Sequence, residues 1–226
     1  MATTTETTTT TTTTAAPSVP PPEALRAALA RDGFVHIPSL LPPAQVEALR
    51  DAAVRLTTAA RRGDWPHIRT LPKQFPPWPS TPGAEGIWGV QHLLHPSNPH
   101  AGAFAESYFG DAVMGPCKAL LRAAGDDELV MELYNMLVRP DADFELRWHR
   151  DDIPPEVPPA EELARLTQGE ALHAQWNLAL CEDRSLVVVP GSQNRARTEE
   201  ERGARPYEPE LPGMKVVVMQ PGDWRE

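Results

Sequence analysis

The sequence predicts a mainly β domain, a β-sandwich or jelly roll braced by flanking helices. Three observations lead there. The first half, up to about residue 128, carries helical periodicity. From about residue 129 the texture changes to short apolar runs: Val130 to Val138, Phe144 to Trp148, Ala174 to Leu180, Leu186 to Val189 and Met214 to Met219. Two of these runs are closed by turn dipeptides, Pro190-Gly191 and Pro221-Gly222. A helical half followed by several short strands is the pattern of two packed sheets with helices outside them.

Taken in order, residues 2–22 are Thr-rich and then Pro/Ala-rich. Polar β-branched residues without apolar periodicity bury no core, so residues 1–22 are expected to be a disordered tail and 23–226 the folded domain. An O-glycosylated stalk is the other reading of a Thr/Pro tract. Glu23 to Asp32 reads as a short helix with Leu25, Ala28 and Leu29 on one face and Gly33 as its stop. Phe34 to Ile37 reads as a strand. Pro42 and Pro43 open a longer helix whose apolar positions are Val46, Leu49, Ala53, Leu56 and Ala60, ended by Gly63. Trp65 to Pro82 reads as a Pro/Trp-rich loop, and two more helical stretches lie near residues 100–124. Residues 160–168 read as a small helical insertion among the strands.

A formal net charge of −10 argues against a nucleic-acid binder, which shows a basic face, and against docking on an anionic membrane. No apolar run approaches the roughly 20 residues a spanning helix needs. The N-terminus has no apolar signal core, so a cytoplasmic location is expected. The two cysteines, Cys117 and Cys181, make neither a disulfide framework nor a zinc site. Oligomeric state is not legible.

The segment that carries chemistry is Arg147-Trp148-His149-Arg150-Asp151-Asp152. In extended chain, side chains two apart share a face, so His149 and Asp151 project together. One neutral nitrogen donor and one anionic oxygen donor suit Fe(II), and a second His would complete the two-His-one-carboxylate triad. Asp152 is the rival carboxylate, but it points to the other face and suits a cap on the turn before Pro154-Pro155. The bland alternative is a surface His beside an acidic loop.

The surrounding order of motifs is more specific than the pair. Tyr134-Asn135-Met136-Leu137-Val138-Arg139-Pro140 precedes it, and Gln175 to Leu180 follows. Then come Leu186-Val187-Val188-Val189-Pro190-Gly191-Ser192-Gln193 and an apolar run into Gly222-Asp223. Here the chain resembles the phytanoyl-CoA dioxygenase family of iron oxygenases, over roughly residues 24–224. The resemblance implies a double-stranded β-helix, a cupin-like jelly roll. It implies His149 and Asp151 as catalytic Fe(II) ligands, with 2-oxoglutarate as co-substrate and dioxygen as oxidant, acting on a small-molecule substrate. It further suggests that Met136, Trp176 and either Asn135 or Asn177 line the cofactor pocket. For Met136 and Trp176 core packing is the competing role, and for Asn135 a hydrogen bond within the sheet.

Two departures from the family stand out. Gln193 replaces the His of its Pro-Gly-Ser-His turn, a position that is not a ligand. In the family, the strand after Gly-Asp supplies a distal His ligand, and a later Arg pairs with 2-oxoglutarate. Neither has a position in this sequence. The domain is therefore expected to be incomplete at its C-terminus, unstable and nearly inactive. The alternative is a catalytically inactive jelly-roll relative that acts as a binding protein. Substitute ligands would have to come from His36, His67, His92, His95, His100 or His173. Arg69 and Lys73 are the possible anion-binding residues of the helical half.

Overall fold

The computed structural model describes residues 19–167 and 173–226. The expected tail therefore lies, for residues 1–18, outside the described residues, as does residue 168 at the end of the helical insertion. The chain opens with α1 (Pro22–Asp32), β1 (His36–Ile37) and α2 (Pro43–Arg62). Next come β2 (Ile68–Thr70), β3 (Ile87–Val90), α3 (Ala101–Phe109) and α4 (Asp111–Leu121). The second half holds β4 (Met136–Leu137), α5 (Pro159–Thr167), β5 (Asn177–Leu178), β6 (Asp183–Val188), α6 (Glu199–Gly203), β7 (Lys215–Met219) and β8 (Trp224–Arg225). Gly33 and Gly63 end α1 and α2 in the left-handed conformation, as their sequence positions predict.

The strands form two three-stranded antiparallel sheets, β1-β8-β5 and β2-β3-β4, and the hairpin β6-β7. Helices cover one face of each sheet. On β2-β3-β4 the row Ile68–Val90–Met136 packs beneath Leu49, Leu56 and Ala60 of α2. On β1-β8-β5 the row Ile37–Trp224–Leu178 packs against Leu25 of α1 and Val113, Cys117 and Leu120 of α4. The opposite faces carry Arg69–Gly89–Leu137 and His36–Arg225–Asn177. Period-two alternation thus assigns each strand residue either to the helical core or to the other side. Leu137, Val216 and Val218 stand exposed, away from these cores.

Several strands differ from the sequence reading. The run expected over Val130 to Val138 pairs only at Met136–Leu137, that over Ala174 to Leu180 only at Asn177–Leu178, and Phe144 to Trp148 is in no ladder. β2 and β3 were not legible at all. Ile87, Trp88, Gly89 and Val90 are all buried, so the run has no alternation, and it stands amid Gly and Pro that read as loop. The Leu71-Pro72 and Pro76-Pro77 bonds of the intervening loop are cis.

Asp223 ties the two ends of the domain together. Its Oδ1 accepts from Ser39 N at 2.7 Å, and its Oδ2 accepts from Gln220 N at 2.8 Å and lies 2.8 Å from His36 Nε2. The preceding Gly222 has φ +92°, and a Cβ there would lie 2.9 Å from the Leu41 carbonyl oxygen, so only glycine fits. Burial pushes the Asp223 carboxyl up, but these hydrogen bonds together outweigh it and leave the pKa below the ordinary value. A carboxyl depressed on folding stabilises the protein above its unfolded pKa of about 3.9 and loses that contribution as pH falls through the folded value. Asp223→Asn is therefore expected to flatten the acid limb of stability. Urea midpoints of wild type and variant, compared from neutral pH downward, should converge in acid; a constant gap would contradict this.

Candidate metal site and its surroundings

Alternation along residues 147–151 sorts the motif into two faces. Trp148 is anchored inward: its N–H donates to Pro206 O at 2.8 Å and its Nε1 to Glu208 O at 2.8 Å. Arg150 is likewise drawn in, with Nε 3.2 Å from Glu162 Oε1 and Nη2 donating to the carbonyls of Ser192 and Arg195 at 3.0 and 3.1 Å. His149 and Asp151 project the other way, with side chains 38% and 57% exposed.

His149 and Asp151 face each other. His149 Nδ1 lies 2.6 Å from Arg147 O. A carbonyl only accepts, so Nδ1 carries the proton, and in the neutral ring Nε2 holds the free lone pair. That Nε2 lies 3.2 Å from Asp151 Oδ1. A lone pair facing a carboxylate oxygen at this distance calls for a positive charge, either a proton on the ring or a shared cation. A backbone carbonyl fixing Nδ1–H is also how ligating histidines are commonly oriented. The residues present thus fit two of the three protein ligands of an Fe(II) site. Among the described residues no group of three or more His, Cys, Asp or Glu side chains is placed to hold a metal. Asp152 is exposed and takes no part in the pair.

The other histidines lie in different settings. His36 is bound to Asp223. His67, His92 and His95 cluster with Trp65, with centroids 4.6 Å apart for His67–His92 and 5.4 Å for His67–His95. His95 Nδ1 accepts from Ser97 N at 3.1 Å. His100 precedes α3, and His173 is exposed.

Arg69 is the cation set into a polar-aromatic niche. Its guanidinium carbon lies 5.0 Å from the Trp88 ring centroid and 5.3 Å from that of Trp78. In the amide orientation that satisfies both ends, Asn135 Oδ1 accepts from Arg69 Nη2 at 2.8 Å and its Nδ2 donates to Tyr134 O at 3.2 Å. Arg69 Nε is buried without a partner, and burial lowers the guanidinium pKa. Gly89, directly opposite on β3, gives the side chain room: a Cβ there would lie 2.8 Å from Arg69 Cδ. Gly89→Ala is therefore expected to destabilise the domain by about 1–3 kcal/mol, because the obstructed atoms lie near the root of the arginine and not only at its tip. A thermal midpoint equal to wild type would refute the crowding. Lys73 is exposed and its ammonium donates to Pro77 O at 3.1 Å, while its carbonyl accepts from the indole N–H groups of Trp78 and Trp88 at 2.9 and 3.1 Å.

The four expected pocket residues divide by face. Asn135 and Asn177 stand on the faces turned away from the helices, Asn135 beside Arg69 and Asn177 paired with Arg225. Met136 packs against the α2 core. Trp176 joins an aromatic cluster, 5.3 Å from Tyr108 and 5.5 Å from Tyr134. Gln193, where the family has His, donates to the Ala30 carbonyl at 3.0 Å, and Asn194 does so at 2.6 Å. Both tie the Pro-Gly turn to the end of α1. Sequence reasoning missed Glu162, a fully buried carboxylate on α5 that meets Arg150, Arg197 and Arg202. Its only advance signal was an acidic position on an amphipathic helix, which does not reveal its partners.

The model of the phytanoyl-CoA dioxygenase family matches residues 29–224. The crystal structure of AviO1 from Streptomyces viridochromogenes Tue57 is similar in fold, with a TM-score of 0.57 at 17% identity, covering 92% of this chain and 84% of that one. No curated protein matches the sequence. The sheets and their covering helices are thus those of a cupin-like fold. With the match running from the last turn of α1 into β8, the chain belongs to the phytanoyl-CoA dioxygenase family.

Proposed function

We propose that this protein is a non-haem Fe(II)- and 2-oxoglutarate-dependent dioxygenase that hydroxylates a small organic substrate, with His149 and Asp151 as two of its iron ligands. The carrying observation is the 3.2 Å approach of His149 Nε2 to Asp151 Oδ1 with Nδ1 held by Arg147 O. Family membership supports the reaction class. When bound, iron supplies the dioxygen activation that couples decarboxylation of the 2-oxo acid to hydroxylation of a C–H bond. The protein's residues bind and orient. Arg69, desolvated and held by Asn135, is the cation we assign to a carboxylate of 2-oxoglutarate, with Asn135 and Asn177 as polar lining. The two sheets and the β6-β7 hairpin are read as parts of one double-stranded β-helix around this site.

The test is anaerobic Fe(II) titration with 2-oxoglutarate, followed by oxygen and assay of succinate. Binding and succinate formation that vanish in His149→Ala support the oxygenase. A wild-type chain that takes no Fe(II) would favour a second reading, a catalytically inactive relative that binds a ligand. That reading draws on the two-donor site among the described residues.

A further inference from the structure

The two donor side chains are themselves weakly held. His149 and Asp151 are exposed, and the hydrogen bond to Arg147 O restrains only the imidazole. The residue between them is the opposite case. Arg150 is fixed by three partners, Glu162 Oε1 and the carbonyls of Ser192 and Arg195. Glu162 is 0% exposed and saturated: Oε1 also meets Arg197 Nη1 at 2.5 Å, while Oε2 accepts from Arg197 N at 2.9 Å and from Arg202 Nη2. The same arginines grip the chain just beyond Asp152. Arg197 Nη2 donates to Ile153 O at 2.9 Å, and Arg202 Nη1 to Val157 O at 2.9 Å. The donor segment is thus held at its middle and at its exit by a knot centred on one carboxylate of α5.

We propose that Arg150, held by Glu162, is a positioning residue that sets the direction and separation of the His149 and Asp151 donors for a divalent metal ion. This rests on the metal reading above. Exposure alternates along residues 148–151, with Arg150 turned inward between the two outward donors, so fixing its side chain fixes the backbone from which both project. Outer contacts that orient ligands are worth about 10–100-fold in metal affinity.

Electrostatics alone predicts the opposite sign, which makes the proposal testable. Arg150 is a positive charge next to the site, so removing it would by Coulomb's law tighten cation binding. Positioning predicts weaker binding. Arg150→Met is the variant of choice, because Glu162 keeps Arg197 and Arg202 as partners and the knot survives. Co(II), an air-stable probe, is titrated in the presence of 2-oxoglutarate and followed by its visible ligand-field absorption. Thermal midpoints are measured in parallel. The expected result is an affinity loss of about tenfold or more in Arg150→Met, with an altered absorption envelope. Arg150→Lys, which keeps the charge but cannot span three acceptors as a planar fork, should be weakened as well. His149→Ala, as the control, should not bind. Equal or tighter binding by Arg150→Met would overturn the positioning role while leaving the metal site intact. A wild-type chain that takes up no Co(II) would overturn both.

Discussion

Replacing Glu162 with alanine is expected to cost about 3–5 kcal/mol of folding stability, the range for removing one partner of a buried ion pair. The carboxylate is wholly buried and receives three guanidinium groups and one backbone N–H. Without it Arg150 and Arg197, whose side chains are 16% and 11% exposed, lose the only carboxylate within salt-bridge distance of them among the described residues. They would remain close together as like charges, already partly desolvated. Arg150 shows the balance. Burial lowers its pKa first, Glu162 is the largest influence opposing that, and Arg197 works against it again. Against a typical total of about 5–15 kcal/mol, this loss is enough to unfold a marginal domain. Glu162→Gln should fall between, since an amide keeps one acceptor but turns a donor toward an arginine. Urea denaturation at neutral pH reads the effect. A shift below about 1 kcal/mol for the alanine variant would mean that the arginines find water or other acceptors without Glu162.

What was legible in the sequence follows from which interactions are local. The caps Gly33 and Gly63 and the α2 stripe from Val46 to Ala60 were readable, because helix period and stop signals lie within a few residues. The approach of His149 to Asp151 was readable for the same reason: the two lie two residues apart, and their contact needs no distant partner. β3 was hidden because burial on both faces erases alternation. Phe144 to Trp148 has strand composition, but the partners of Trp148 lie at Pro206 and Glu208, about sixty residues on, and they are not ladder bonds. The Arg69 niche shows how far composition goes. A basic residue in a Trp/Pro loop was a candidate anion binder, but the indoles of Trp78 and Trp88 and the amide of Asn135 come from three separate segments. Trp176 illustrates the converse. Its type suited either a pocket or core packing, and just before β5 it lies against Tyr108 and Tyr134, partners that its own segment does not name.

Contact with His149 separates two adjacent carboxylates. Asp151→Asn is expected to weaken metal binding at least about 100-fold, about 2.7 kcal/mol, whereas Asp152→Asn should change it less than about threefold. The difference is geometric. Asp151 Oδ1 lies 3.2 Å from His149 Nε2, so a cation between them has an anionic oxygen and an imidazole nitrogen to hand. Asp152 is one residue further, exposed in the same turn and outside the pair. An amide in place of Asp151 keeps the shape and one neutral oxygen but removes the negative charge that offsets the cost of stripping water from a dipositive ion. His149→Ala should be at least as damaging, because it removes the nitrogen donor outright. Both site variants should fold, since neither side chain is buried and neither belongs to the Glu162 knot; their thermal midpoints should stay near wild type. Titration of the three variants with the same metal probe, alongside those midpoints, decides the matter. If Asp152→Asn lost affinity and Asp151→Asn kept it, the donor pair would have to be redrawn around Asp152, and the inward hold on Arg150 would no longer bear on the site.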